Sequence, residues 1–290
     1  MSKVPSYVIV TPARNEAAYI ELTLQSMVAQ TRPPLKWVIV SDGSTDGTDE
    51  LVKKYAANHS WIELVRMPER AERHFAGKVL AFNAGYDRVR DLKPDVVVNL
   101  DGDVSIDPDH FEFLMGKYAE DDRLGVWGAP FREGTQQYDY RFANIENVWG
   151  GCQVFRRECF EDIGGYIPLK GGSIDHIAVV TARMKGWKTR TFTDKVCIHH
   201  RVMGTAGQSA LKAKFRMGVK DYSVGNHPVW ELSRMLYQML NPPLVLGGIA
   251  LGAGYFSSLL KGAERMVSPE LVAFTRREQM RRLKKVFKRA

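Results

Sequence analysis

The sequence predicts an α/β protein, a Rossmann-like, mainly parallel sheet flanked by helices, with a helical C-terminal extension. Three observations predict it. Short runs of branched apolar residues alternate with helical patterns over the first hundred residues. Polar, glycine-containing segments follow those runs, and the last third turns uncharged and then strongly basic. Alternation of this kind gives parallel strands covered on both faces.

The opening "MSKVPSYVIV" has too short an apolar stretch for a signal peptide and makes a better first strand, Tyr7 to Thr11. A helical pattern follows from Ala17 to Gln30, then a strand at Trp37 to Val40, a helix at Asp49 to Ala57 and a strand at Ile62 to Met67. A helix at Val79 to Val89 and a fully apolar strand at Val96 to Leu100 complete the series. In such a sheet ligands bind where the strands end, so the chemistry is expected in "TPARNE", "SDGSTDG" and "DGD", all on one rim. Each of the first two also has a plain reading as a turn, with Asn15 or Thr11 satisfying free helix amides and Gly43 and Gly47 easing the chain round.

In "VVVNLDGDVSIDP" the strand runs straight into Asp101 and Asp103. Two hard oxygen ligands two residues apart suit Mg²⁺ or Mn²⁺, which bind through one or two carboxylates, substrate phosphates and water. A pair of helix-capping aspartates before Pro108 is the plainer alternative, although Asp107 already occupies that capping place.

Composition narrows the function classes. The 290 residues are 44% hydrophobic and 26% charged, as in an ordinary globular protein. Cys152, Cys159 and Cys197 match no disulfide framework or zinc ribbon, which favours a reducing cytoplasm. The net charge of +8 is concentrated beyond residue 260, where ten Lys or Arg face three Glu. The body is nearly neutral and lacks a basic stripe interleaved with aromatics, so no nucleic-acid partner is expected.

With these motifs in order, the sequence resembles the family 2 glycosyltransferases of the GT-A fold over roughly residues 5 to 200. "VIVTPARNEAAYIELTLQSMVAQT", "WVIVSDGSTDGT", "GKVLAFNAGYD", "NLDGDV" and "CQVFRRECFEDIGGY" are each similar to a family segment. The resemblance implies that Pro12, Ala13, Arg14 and Glu16 line a nucleoside pocket, that Asp42 accepts hydrogen bonds from base or ribose, and that Lys78 approaches the diphosphate. Asp101, Gly102 and Asp103 would hold the nucleotide sugar, and Asp101 and Asp103 a divalent cation. In "GGSIDHIAVVTARMKGWKT" Asp175 falls on the Asp of the family's Glu-Asp pair, with Ile174 in place of the Glu. Asp175 is the natural general base for an acceptor hydroxyl, and it can also cap the helix beginning near His176. His199 and His200 end a strand where some relatives complete the metal shell, with Arg201 near the phosphates; each also reads as a structural histidine. A zinc site of Cys197 with these histidines fits no standard ligand spacing.

The last third departs from this pattern. Met235 to Leu260 has no charged residue, and Leu244 to Leu260 is seventeen apolar or small residues. That reads as a packed or interface-embedded helix, with a single spanning helix as the alternative; Gly248 and Gly252 offer a close helix contact. Ser268-Pro269-Glu270 starts another helix, on which Leu271, Phe274, Met280, Leu283 and Phe287 alternate with Arg276, Arg277, Arg281, Lys284, Lys285 and Lys288. A basic amphipathic helix of this kind suits an anionic membrane surface, or is simply a solvated terminal helix.

The expected organisation is a catalytic domain over 1–204, with a nucleotide-binding half (1–104) and an acceptor half (105–204), and a membrane-associated helical extension over 205–290. The expected function is metal-assisted, inverting transfer of one sugar from a nucleotide-sugar donor to a glycan or lipid-linked acceptor, peripheral on the cytoplasmic face of the membrane. A Gln-x-x-Arg-Trp segment of processive synthases does not occur. The rivals are a polyprenyl-phosphate sugar synthase, a sugar nucleotidyltransferase, and a basic nucleic-acid- or membrane-binding module without catalysis.

Overall fold

The computed structural model describes residues 4–69, 76–134, 136–137, 144–169, 171–201 and 209–288. The chain divides into two compact units, residues 1–202 and 203–290. The boundary expected at 204/205 lies outside the described residues.

In the first unit β1 (Tyr7–Ala13), α1 (Ile20–Val28), β2 (Lys36–Asp42), α2 (Thr48–Ala56), β3 (Ile62–Met67), α3 (Ala76–Asp87) and β4 (Val96–Leu100) follow the alternation the sequence predicts. They continue into β5 (Val104–Ser105), α4 (His110–Glu120), β6 (Leu124–Gly128), β7 (Phe131–Glu133), β8 (Gln136–Gln137), β9 (Cys152–Arg156), α5 (Arg157–Asp162), α6 (Ile174–Met184), β10 (Lys188–Thr191) and β11 (Cys197–His199). Among the described residues the large sheet has the order β10-β6-β9-β4-β1-β2-β3, and only β9 runs against its neighbours. The chain leaves β1 for β2 on one side and returns as β4 on the other, so a crevice opens at the C-terminal ends of β1 and β4.

Alternate residues of the central strands feed two cores. Ile9, Trp37, Ile39, Val96 and Val98 meet Ile20, Leu24 and Phe111 on one face. Val8, Val10, Val38, Val40 and Val97 meet Val79 and Phe82 on the other. Burial on both faces is why these strands read as continuous apolar runs. Strands β1 and β2 outlast their apolar runs because Ala13 still pairs with Ser41, and Asp42 with Met67.

Two local expectations are corrected. Helix α1 begins at Ile20 instead of Ala17, because Asn15 takes a left-handed backbone (φ 56°) and the chain turns before the helix starts. Asp107 does not cap α4: the N-cap is Asp109, and Asp107 contributes its carbonyl to Gln30 Nε2 at 2.7 Å.

The second unit contains α7 (Ala210–Ser223), α8 (Pro228–Met239), α9 (Leu244–Leu260) and α10 (Pro269–Phe287). Glycines let α9 approach its neighbours closely. A Cβ at Gly248 would lie 2.5 Å from the Met235 carbonyl oxygen of α8, and one at Gly254 would collide with the Phe215 carbonyl of α7. Among the described residues no helix is long and apolar enough to cross a membrane, so the spanning alternative for Leu244 to Leu260 is set aside. Ser268 caps α10 by accepting from the Leu271 amide at 3.3 Å. Leu271, Val272, Thr275, Gln279 and Leu283 of α10 are buried, while Phe274 and Met280 stay half-buried, so part of its apolar stripe is taken up by packing.

Buried carboxyls make this unit pH-sensitive. Glu231 is fully buried and Asp221 nearly so; Asp221 accepts from Arg234 at 2.9 Å, while its other oxygen and Glu231 Oε1 have no hydrogen-bond partner. Burial, and then the charge of Asp221, push Glu231 up to about 7. A raised folded-state pKa gives stability that is complete below the unfolded value and is lost as pH rises through about 7. Thermal stability is therefore expected to fall between pH 5 and 8, by on the order of 3 kcal/mol from this group. Glu231→Gln should flatten that dependence, and an unchanged profile in the variant would refute the assignment.

Candidate active site

The loops after β1 and β2 are laced together at the rim. The Asn15 amide donates to Ser44 Oγ (3.1 Å), the Glu16 amide to Thr48 Oγ1 (2.8 Å) and the Ala17 amide to Asp46 Oδ2 (2.9 Å), while Asn15 Oδ1 accepts from the Thr45 amide (2.9 Å). Thr11 Oγ1 accepts from Trp37 Nε1 at 2.8 Å. Neither Asn15 nor Thr11 caps α1, contrary to the plain turn reading; the two loops hold each other. Gly43 has φ 65°, and a Cβ there would lie 2.6 Å from Glu69 Cα, so both backbone shape and space require glycine. Pro12 and Ala13 form the end of β1, and buried Asp42, the last residue of β2, lies 3.7 Å from Arg14 Nη1.

At the end of β4, Asp101 is fixed from both sides. Its amide donates to the Gly151 carbonyl at 2.8 Å, and Oδ1 accepts from Lys78 Nζ at 2.6 Å and Asn99 Nδ2 at 3.3 Å. Burial pulls Lys78 down, but the Asp101 carboxylate outweighs it and raises its pKa. The Gly102 carbonyl accepts from Thr23 Oγ1 at 2.9 Å, tying the turn to α1.

Asp103 leads into β5, which pairs antiparallel with β11 so that His199 lies opposite Val104. That register brings residues nearly a hundred positions apart into one cluster. His199 Nε2 is 3.5 Å from Asp103 Oδ2, and Arg201 Nε donates to the same oxygen at 3.2 Å. On its other side, His199 Nδ1 is 2.6 Å from Glu133 Oε1, and Trp149 and Phe131 close on the ring edge-to-face. Burial raises the Asp103 pKa, yet His199 and Arg201 hold it below the ordinary carboxylate value. Burial lowers His199, but Asp103 and Glu133 hold it above the usual imidazole range. Arg201 also ion-pairs with Glu16, whose carboxyl is pushed up to about 7 by burial and by Asp103.

Of the two candidate histidines, His199 faces Asp103. His200 turns its Nε2 to Ser105 Oγ at 2.8 Å. Cys197 does not join either histidine; its Sγ lies 3.8 Å from His110 Nε2 in the core.

Asp175 lies in the first turn of α6, two residues after the N-cap Ser173. Its carboxylate is packed over Gly150, where a Cβ would come within 2.6 Å of Oδ2. Since the Gly150 carbonyl accepts from Asn99 (2.7 Å), which also reaches Asp101, Asp175 is seated beside the DGD turn. Its charge helps to raise Lys78. Sequence reading missed Glu133, Asn99, Trp149 and Gly150. Asn99 opens "NLDGDV" but reads there only as strand; no short motif contains the other three, which strand pairing and the turn before β9 deliver.

Comparison with known proteins bears on this arrangement. Residues 8–150 match the sequence model of Glycosyl transferase family 2. Those residues form a domain of that family. Among relatives of the family, it is 28% identical over 153 residues to the probable glycosyltransferase YdaM of Bacillus subtilis, covering 51% of this chain and 35% of that protein. It is 32% identical over 117 residues to a poly-beta-1,6-N-acetyl-D-glucosamine synthase of Staphylococcus aureus, covering 40% and 26%. The chain thus spans about a third or less of the length of these curated relatives. A solved structure with this fold is the mannosyltransferase PcManGT from Pyrobaculum calidifontis in complex with GDP-Man and Mn²⁺. It superposes with a TM-score of 0.58 at 20% identity, covering 94% of this chain and 79% of that one. The family 2 glycosyltransferase therefore has the GT-A fold that its sequence resembles.

Proposed function

We propose that the protein transfers one sugar from a nucleotide-sugar donor to a glycan or lipid-linked acceptor, with inversion, for cell-surface polysaccharide synthesis. The observation that carries this reading is the meeting of Asp101, Asp103, His199 and Asp175 at the C-terminal rim of β1 and β4. Asp42 and Arg14 would receive the nucleoside, an ionised carboxylate being a good acceptor for base or ribose hydroxyls.

The donor set fits a divalent cation. Asp103 stays ionised, and His199 has Nδ1 held by Glu133 with Nε2 directed at Asp103, the carboxylate–histidine arrangement that orients a metal ligand. Asp101 and Asp103 with His199 would hold Mn²⁺ or Mg²⁺; the neighbour named above contains Mn²⁺. Bound there, such a cation supplies Lewis-acid stabilisation to the departing nucleoside diphosphate. Lys78 and Arg201 add positive charge to the same rim. Asp175 takes the proton from the acceptor hydroxyl, which attacks the anomeric carbon from the side opposite the nucleotide, and that gives inversion. The test is nucleoside-diphosphate release across UDP-, GDP- and dTDP-sugars, with and without Mn²⁺ or Mg²⁺. Release from none of them would overturn the proposal.

The membrane contact is assigned to α8 and α9 on the cytoplasmic leaflet. Leu236 (66% exposed), Leu240 (78%) and Leu246 (60%) leave apolar surface uncovered there, and the basic residues beyond 260 add attraction to anionic lipid. Leu236→Glu with Leu240→Glu should lower cosedimentation with anionic vesicles at least tenfold, since burying a leucine contributes roughly 1.5–3 kcal/mol. Unchanged sedimentation of that variant would exclude this face.

A further inference from the structure

Three buried groups take no part in the rim. His110 opens α4, Cys152 opens β9 and Cys197 opens β11, all fully buried, and one donor atom from each lies within 4.8 Å of the other two. His110 Nε2 is 4.0 Å from Cys152 Sγ and 3.8 Å from Cys197 Sγ. Among the described residues this is the one group of three His, Cys, Asp or Glu side chains gathered so tightly.

We propose that these side chains bind a thiophilic d¹⁰ cation, of which Zn²⁺ is the common case, at a site separate from the carboxylate rim. Zinc bonds of about 2.3 Å to sulfur and 2.0 Å to nitrogen, set tetrahedrally, leave roughly 3.5 Å between neighbouring S and N donors. The present separations lie within a few tenths of an ångström of that edge. Two thiolates and an imidazole are soft donors that select zinc over the Mg²⁺ or Mn²⁺ of the rim. Water would complete the tetrahedron.

The surroundings leave the histidine little else to do. Its Nδ1 is buried without a hydrogen-bond partner, so its polar contacts are the two sulfurs on the Nε2 side. Burying an imidazole on so few contacts is costly, and a metal bond at Nε2 offsets that cost. As the cation binds, both thiols release their protons to solvent and two S–metal bonds form.

The location gives the site a positioning role. Cys152 pairs with Leu100, the residue before Asp101, and Cys197 lies two residues before His199 on β11. A cation held by both, and by α4, would fasten the large sheet to the small one behind the DGD turn. It would fix the distance between Asp101 and His199.

The test uses the full-length chain, prepared with zinc and dialysed against metal-free buffer, followed by elemental analysis and titration with Co²⁺. About one zinc per chain is expected to remain, the stoichiometry of one structural site. Co²⁺ should give thiolate-to-metal charge-transfer absorption, which the carboxylate rim cannot produce. Cys152→Ser and Cys197→Ser should each lose the band, while Cys159→Ser and Asp103→Asn should keep it. Absence of the band in the wild-type chain, its persistence in Cys152→Ser, or its loss in Asp103→Asn would overturn the proposal. Should the Cys152 and Cys197 variants fail to fold, the wild-type chain decides alone: retention of no zinc after dialysis, or no charge-transfer band with Co²⁺, would overturn the proposal.

Discussion

Asp103→Asn is expected to remove most turnover while leaving the fold intact. The side chain is 11% exposed and lies between His199 and Arg201, which keep it ionised against the cost of burial. Asparagine preserves its shape but removes the charge that a divalent cation needs, and it leaves two cationic groups facing a neutral amide. Losing a Lewis acid's contribution of several kcal/mol corresponds to a fall in kcat of on the order of 10³-fold. The measurement is nucleoside-diphosphate release at saturating donor, with thermal unfolding as the check on folding. A milder companion is Glu133→Gln, which keeps every proposed ligand but loosens the hold on His199 Nδ1. It should weaken metal activation about 10- to 100-fold, with activity recovered at high Mn²⁺. Full activity of Asp103→Asn in the presence of EDTA would exclude the metal reading altogether.

The unequal legibility of these residues in sequence has a physical origin. Asp101 and Asp103 could be found because both follow one apolar strand, and a strand buried on both faces announces its own end. Asp42 and the "TPARNE" loop were legible for the same reason. Glu133 was not, because it reaches His199 through the pairing of β7 with β11, and such a register is set by long-range packing. Which of His199 and His200 faces Asp103 likewise depends on the pairing of β11 with β5, which puts one ring against Asp103 and the other on Ser105.

In the C-terminal unit the period of the apolar residues revealed the helices but not what covers them. The stripe on α10 reads equally well as a membrane face or as a packing face. Packing takes part of it: Gly225 leaves room for Val272, and Gln279 accepts from the His227 amide at 2.8 Å and donates to Asn226 at 2.7 Å. The exposed apolar surface then falls to α8 and α9, whose sequence is no more hydrophobic than a buried helix would be.

Asp175→Asn should lower kcat by about two to four orders of magnitude, the range for losing a general base, with donor affinity nearly unchanged. Its carboxylate lies over Gly150, beside the DGD turn but outside the loops that would receive the nucleoside, so titration with the nucleotide sugar should give nearly the wild-type Kd. Folding should tolerate the change, since a carboxylate in the first turn of a helix contributes only about 0.3–1 kcal/mol through the dipole. Gly150→Ala separates position from charge: a Cβ 2.6 Å from Asp175 Oδ2 forces the carboxylate aside while leaving it ionised, and kcat should fall without any change in the charge of the site. If the acceptor is a phosphate, it arrives already ionised and needs no base. Asp175→Asn would then remain active, which would reject transfer to a hydroxyl in favour of a lipid phosphate acceptor.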